Sequence, residues 1–146
     1  RFAQQQESNK VFNMQHTALI YTMVLMSAAD SDMTDRELLL IGDIVRTMPA
    51  FESFDEKLLP EIAENCAEIL GQENGMDTVI GIVADSLPER LCMTAYALAC
   101  DVAAADGSVQ QEELRLLEMI RHRLNVDRLH AAAIETGAAA RNQKAD

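Results

Sequence analysis

Eleven residues of the chain return later in nearly the same pattern: Ala28-Ala29-Asp30-Ser31-Asp32-Met33-Thr34-Asp35-Arg36-Glu37-Leu38 and Ala104-Ala105-Asp106-Gly107-Ser108-Val109-Gln110-Gln111-Glu112-Glu113-Leu114. Laying one copy on the other superposes two alanines, an aspartate, a hydrophobic residue, a glutamate and the leucine beside it. Both copies are flanked on both sides by apolar residues at helical spacing, so each reads as helix, short acidic turn, helix. A helical hairpin cannot bury its apolar stripe alone, so two of them must pack on each other or on further helices. The expected fold is all-α: a single-domain helical bundle of six to eight helices with two pseudo-symmetric helix-turn-helix repeats.

The rest of the sequence agrees with that class. Its 146 residues suffice for one sizeable core and are too few for two. Trp is absent and aromatics are only 4%, so the core must be built from Leu, Ile, Val, Ala and the eight Met. Ala, Leu and Met favour helices, and no run of β-branched residues suggests a strand.

In chain order, residues 1–15 are Gln-rich and weakly periodic and read as a loosely docked N-terminal segment. From His16, the residues Leu19, Ile20, Met23, Val24 and Met26 form a stripe on a helix ending near Ser31. Thr34-x-x-Glu37 is a capping box that opens the next helix, which Pro49 ends. Ser53-x-x-Glu56 opens a third helix running to Gly71, with Pro60 predicting a kink or a later true start. After a turn at Gln72-Glu73-Asn74-Gly75 come a short helix from about Asp77 and a long Ala-rich helix with Pro88 at its first turn. Ala97, Ala99, Ala103, Ala104 and Ala105 on the long helix would allow a neighbour to approach closely, as a central element requires. Asn125 and Asp127 are expected as caps between the sixth and last helices. The helical domain thus spans residues 16–141, and 142–146 form a tail expected to be disordered.

Net charge is −12, which disfavours nucleic acid and anionic lipid and points to cations or protein partners with a basic surface. Cys66, Cys92 and Cys100 form no disulfide framework. On one helix, Cys92 and Cys100 would lie about 12 Å apart at ~1.5 Å per residue. They read as small buried apolar residues of a reducing, cytoplasmic protein. No apolar run suits direct membrane insertion, and no signal sequence opens the chain. The chain begins at Arg1 rather than Met, which accords with trimming of an upstream segment.

The acidic turns are where chemistry is expected. Asp30 and Asp106 fall at the C-terminal ends of helices, where the backbone dipole opposes a carboxylate by a few tenths to about 1 kcal/mol. Glu37 and Glu113 fall at the third position of the following helices, where a carboxylate is favoured. The aspartates could accept amide hydrogens within their own turns, pair with Arg36, Arg90 or Arg115, or share a metal ion with the glutamates. If the repeat brings the two turns together, the clustered carboxylates nearly require a cation, and oxygen ligands favour Ca²⁺, Mg²⁺ or Mn²⁺ over Zn²⁺. The metal-ligand set is Asp30, Glu37, Asp106 and Glu113, with Asp32 and Glu112 peripheral. The loop is not an EF-hand: counting from Asp30, its sixth position is Asp35 rather than Gly and its twelfth is Ile41 rather than Glu.

Through Ala28-Ala29-Asp30 with Glu37 and Ala104-Ala105-Asp106-Gly107 with Glu113, and through the helices flanking them, the sequence over residues 16–125 resembles the TerB-like family, named for bacterial tellurite-resistance proteins. The resemblance implies an all-helical fold, metal-binding acidic turns, and a role in stress-response or metal-resistance assemblies rather than catalysis. Members of the family also occur as modules beside other domains, including J-domain co-chaperones. Ser31 stands where the second copy has Gly107, and Gln110 where the first has Thr34.

Other constellations carry less. His16, His122 and His130 are scattered and read as partly exposed helix histidines, and Met23, Met26, Met33 and Met48 as core filling. No phosphate loop, nucleophile elbow or Glu-x-x-His pair appears, so no enzyme is expected. Two functions are consistent with the residues. One is a non-enzymatic, divalent-metal-binding module of a bacterial tellurite-resistance or stress-response assembly. The other is an acidic protein-protein interaction domain without metal, whose carboxylates act as turn and helix caps.

Overall fold

The computed structural model of the protein describes residues 2–29, 33–105 and 107–146, with residues 2–13 described by their backbone alone. Its elements are seven α-helices, α1 (Phe2–Ser27), α2 (Asp35–Thr47), α3 (Leu59–Leu70), α4 (Gly75–Ser86), α5 (Glu89–Ala104), α6 (Gln111–Arg123) and α7 (Arg128–Arg141). Short 3-10 turns at Pro49–Phe51 and Glu56–Leu58 join α2 to α3. No strand occurs among the described residues. The two repeats are α1–turn–α2 and α5–turn–α6, as the duplication predicts.

α1 is the centre of the molecule. Leu19, Ile20, Met23, Val24, Leu25 and Met26 are all at most 1% exposed, so its second half is buried on every side rather than along one stripe. It packs against α2, α3, α4 and α5. α5 is the second hub, touching α1, α6 and α7. Ala95, Ala99 and Ala103 recur every four residues along α5 and are fully buried, which lets a neighbouring backbone come close. Met33 and Met48 pack on this core beside the buried Met23 and Met26.

Boundaries differ from the sequence reading in informative ways. α1 is continuous from Phe2 and ends at Ser27, short of Ser31. α3 does not open at Ser53. Asp55 caps the 3-10 turn by accepting the Lys57 N–H at 3.1 Å, and α3 begins at Leu59, which places Pro60 in its first turn. That is where a residue without an N–H costs no helical hydrogen bond. α4 begins at Gly75, two residues early, after Asn74 in the left-handed region (φ 58°). A Cβ on Gly75 would overlap the Ile69 carbonyl and the Leu70 backbone, so the α3–α4 corner tolerates only glycine. At the α6–α7 corner the two expected caps are present: Asn125 takes a positive φ of 54°, and Asp127 accepts the His130 N–H at 2.9 Å.

His16 departs most from expectation. It is only 4% exposed, because it lies on the inner part of α1 and the α2–α3 connection folds Phe51 and Phe54 over it. Their ring centroids stand 5.8 and 5.2 Å from the imidazole, the second edge-on. His122 and His130 are exposed as expected and pair with Glu118 and Asp127.

Burial lowers the His16 pKa below its ordinary value of 6.5, although a hydrogen bond with the Ala50 backbone partly offsets this. Above that value, folded and unfolded chains both carry neutral His16. As pH falls below it, the unfolded chain binds a proton that the folded chain does not, so stability drops until the depressed folded value is reached. Between about pH 7.5 and 5, urea unfolding should show the wild-type chain losing more stability than His16→Leu; parallel losses would contradict this. Gly75→Ala should lower stability by about 1–3 kcal/mol, because the backbone of the α3–α4 corner must shift to admit the methyl group. An unchanged urea midpoint would show that the corner is looser than its geometry indicates.

Candidate functional site

The turns leave the ends of the two most buried helices, so the core fixes where they begin. Each is followed by a helix whose third residue is a glutamate. In the first repeat, Glu37 is half-buried and its Oε1 accepts the Thr34 N–H at 2.9 Å and the Thr34 hydroxyl at 3.0 Å. Thr34 Oγ1 in turn accepts the Glu37 N–H at 3.2 Å, completing the capping box. In the second repeat, Glu113 Oε1 accepts the Gln110 N–H at 2.9 Å. Both glutamates therefore fold back toward the turn that precedes them. Both also lie in the first turn of a helix, where the macrodipole favours negative charge.

The two copies differ in depth. Glu113 is 8% exposed and is the one carboxylate among the described residues that is buried. Glu112 beside it faces solvent. In the second turn, Gly107 adopts a φ of 90°, and its N–H donates to the Ala104 carbonyl at 3.1 Å. Only glycine takes that conformation readily, which explains Gly107 in this copy.

Asp30, Asp32 and Asp106, half of the expected ligand set, lie outside the described residues. Among the described residues, no three His, Cys, Asp or Glu side chains stand close enough to hold an ion. A shared centre therefore depends on the aspartates. The chemistry of the six residues fits a hard cation: all are carboxylates, and each has two oxygens, so a cap bond through one does not exhaust it. Arg36, Arg90 and Arg115 make no ion pair with any described residue. The pairs that do form are Arg46 with Asp43 and Glu56, Arg121 with Glu118, and Arg141 with Asp101.

Sequence reasoning missed one part-buried polar contact between helices. The Tyr96 hydroxyl on α5 donates to Glu135 Oε2 on α7 at 2.5 Å. Burial first, and then the Glu135 carboxylate, push the Tyr96 pKa up, which keeps the phenol protonated and donating. The partners are 39 residues apart, and no short motif announces them. The cysteines are free: Cys66 and Cys100 are buried and Cys92 half-buried. Burial pushes both the Cys66 and Cys100 thiols up to about 12, so neither is a nucleophile at neutral pH.

Among the described residues, no helix is long and apolar enough to cross a membrane. Compared with known proteins, the chain matches the family model for tellurite resistance protein TerB over residues 16–136. No curated protein and no solved structure matches it. The family match opens at His16, where α1 is already buried, takes in both acidic turns, and closes within α7. Since it covers most of the sequence, the chain belongs to the TerB family of tellurite resistance proteins.

Proposed function

We propose that this tellurite-resistance-type domain is a non-enzymatic, divalent-cation-binding module of a bacterial stress-response assembly that works in the cytoplasm with a protein partner. Asp30, Glu37, Asp106 and Glu113 are the ligands, and Asp32 and Glu112 contribute at the periphery. The observation that carries the reading is the paired placement of Glu37 and Glu113, each turned back toward its own acidic turn from the start of the following helix. Ca²⁺, Mg²⁺ or Mn²⁺ suits an all-oxygen donor set.

The same cap bonds favour a second reading, in which the glutamates serve only the helix starts and the acidic surface docks a basic partner without any ion. Glutamine separates the two functions: its amide oxygen still accepts the capping N–H, but its charge is gone. In chelator, Glu37→Gln and Glu113→Gln should therefore melt close to the wild-type temperature. Adding Ca²⁺, Mg²⁺ or Mn²⁺ should raise the wild-type melting temperature, by an amount equivalent to about 2.7 kcal/mol at a hundred times Kd. Asp30→Asn, Asp106→Asn and the two glutamine variants should lose that rise. No rise with any of the three ions at millimolar concentration would leave the metal-free interaction domain as the function.

A further inference from the structure

The helix face opposite the α1 side of the core leaves a cavity of about 200 Å³ between α5, α6 and α7. Its walls are apolar: Leu117 and Ala138 form the buried part, and Val109, Leu114 and Ala139 line its mouth. This volume exceeds the ~150 Å³ that admits a benzene ring, so one Leu, Met or Phe side chain would fit. The apolar surface does not stop at the opening, since Leu114 is 50% and Val109 39% exposed. A small molecule confined to the cavity would leave that surface in water; a partner helix laid across it would not.

The charged side chains among the described lining residues are both acidic. Glu118 and Glu135 line the cavity, and among the described residues no lysine or arginine does. Arg121, from outside the lining, donates to Glu118 Oε1 at 3.0 Å and to the Val126 carbonyl at 3.3 Å, which offsets one of the two charges and leaves the rim net negative. Glu135 is held in place by the Tyr96 hydroxyl, so this carboxylate is pre-positioned. An apolar slot with acidic residues on its rim is complementary to a helix that carries a large apolar side chain flanked by lysine or arginine.

We propose that the α5–α6–α7 cavity is the docking site for a basic amphipathic helix of a partner protein, with one apolar side chain inserted in the slot and cationic residues set against Glu118 and Glu135. The proposal rests on the assembly-module part of the function above and does not require its metal ion.

The test uses the full chain in EDTA and a fluorescein-labelled helical peptide of about 14 residues, with Leu and Lys at amphipathic spacing. Binding should be saturable, with amide shift changes centred on residues 103–118 and 135–139. Ala139→Phe, which fills the mouth from an exposed position, should weaken binding by about tenfold or more. The Glu118→Gln/Glu135→Gln pair should do the same, while Glu64→Gln/Glu68→Gln on α3 should leave it unchanged. Melting temperatures show whether each variant is folded. Lack of saturable binding, equal weakening by the α3 pair, or shift changes spread over the acidic surface would each overturn the proposal. Binding of n-octylamine but not of the peptide would also overturn it, in favour of a small-ligand cavity. Because EDTA removes the ions, failure here says nothing against cation binding, and a flat metal titration says nothing against this cavity.

Discussion

The mutual burial of α1 and α5 is the constraint on which the remaining structure depends. Complete removal of a Leu, Ile or Met side chain from water contributes about 1.5–3 kcal/mol, while a whole domain is stable by only about 5–15 kcal/mol. Six consecutive-turn residues of α1 are buried to that degree, and the alanine row on α5 keeps the partner backbone near. With those two helices fixed, α2, α3 and α4 have a surface to close over on one side, and α6 and α7 on the other. Both acidic turns then issue from ends that cannot shift without opening the core.

This arrangement places the adaptable chemistry at the periphery of a rigid frame. Capping glutamates turn back on the acidic loops, and the α5–α7 pair of Tyr96 and Glu135 stiffens one wall of the open cavity. The second acidic turn and the cavity also have Ala104 and Val109 in common, as the flanks of one and the lining of the other. The cation site and the docking site we propose are therefore neighbours in the second repeat. The first repeat carries His16 on α1, where the Phe51 and Phe54 rings pack against it.

Features written in local spacing were legible in the sequence. The Thr34–Glu37 box, the Asn125 and Asp127 caps, the Met residues of the core and the two hairpins all follow from patterns within a few residues. What escaped depends on contacts between distant segments. His16 looks like an ordinary helix residue until Phe51 and Phe54, some thirty-five places later, close over it. The true start of α3 was ambiguous because Ser53-x-x-Glu56 and Pro60 each propose one, and the proline, whose ring and missing N–H suit only the first turn, prevails. Gly75 carries no local sign that a methyl group would strike the preceding helix. For the candidate site, the pairing of glutamate caps was readable, but the greater depth of Glu113 was not, since burial is a property of the packed molecule.

The cysteines separate into two kinds of sulfur. Reaction with oxidants and electrophiles runs through the thiolate, and Cys66 and Cys100 hold their protons deep in α3 and α5. Their chemical lifetime is thus set by how often the bundle opens rather than by their own acidity. In an environment rich in thiol-reactive agents, a well-packed interior is itself the protection of these two side chains. Cys92, half-buried on α5, is more accessible, although burial and the nearby Glu89 also raise its thiol pKa.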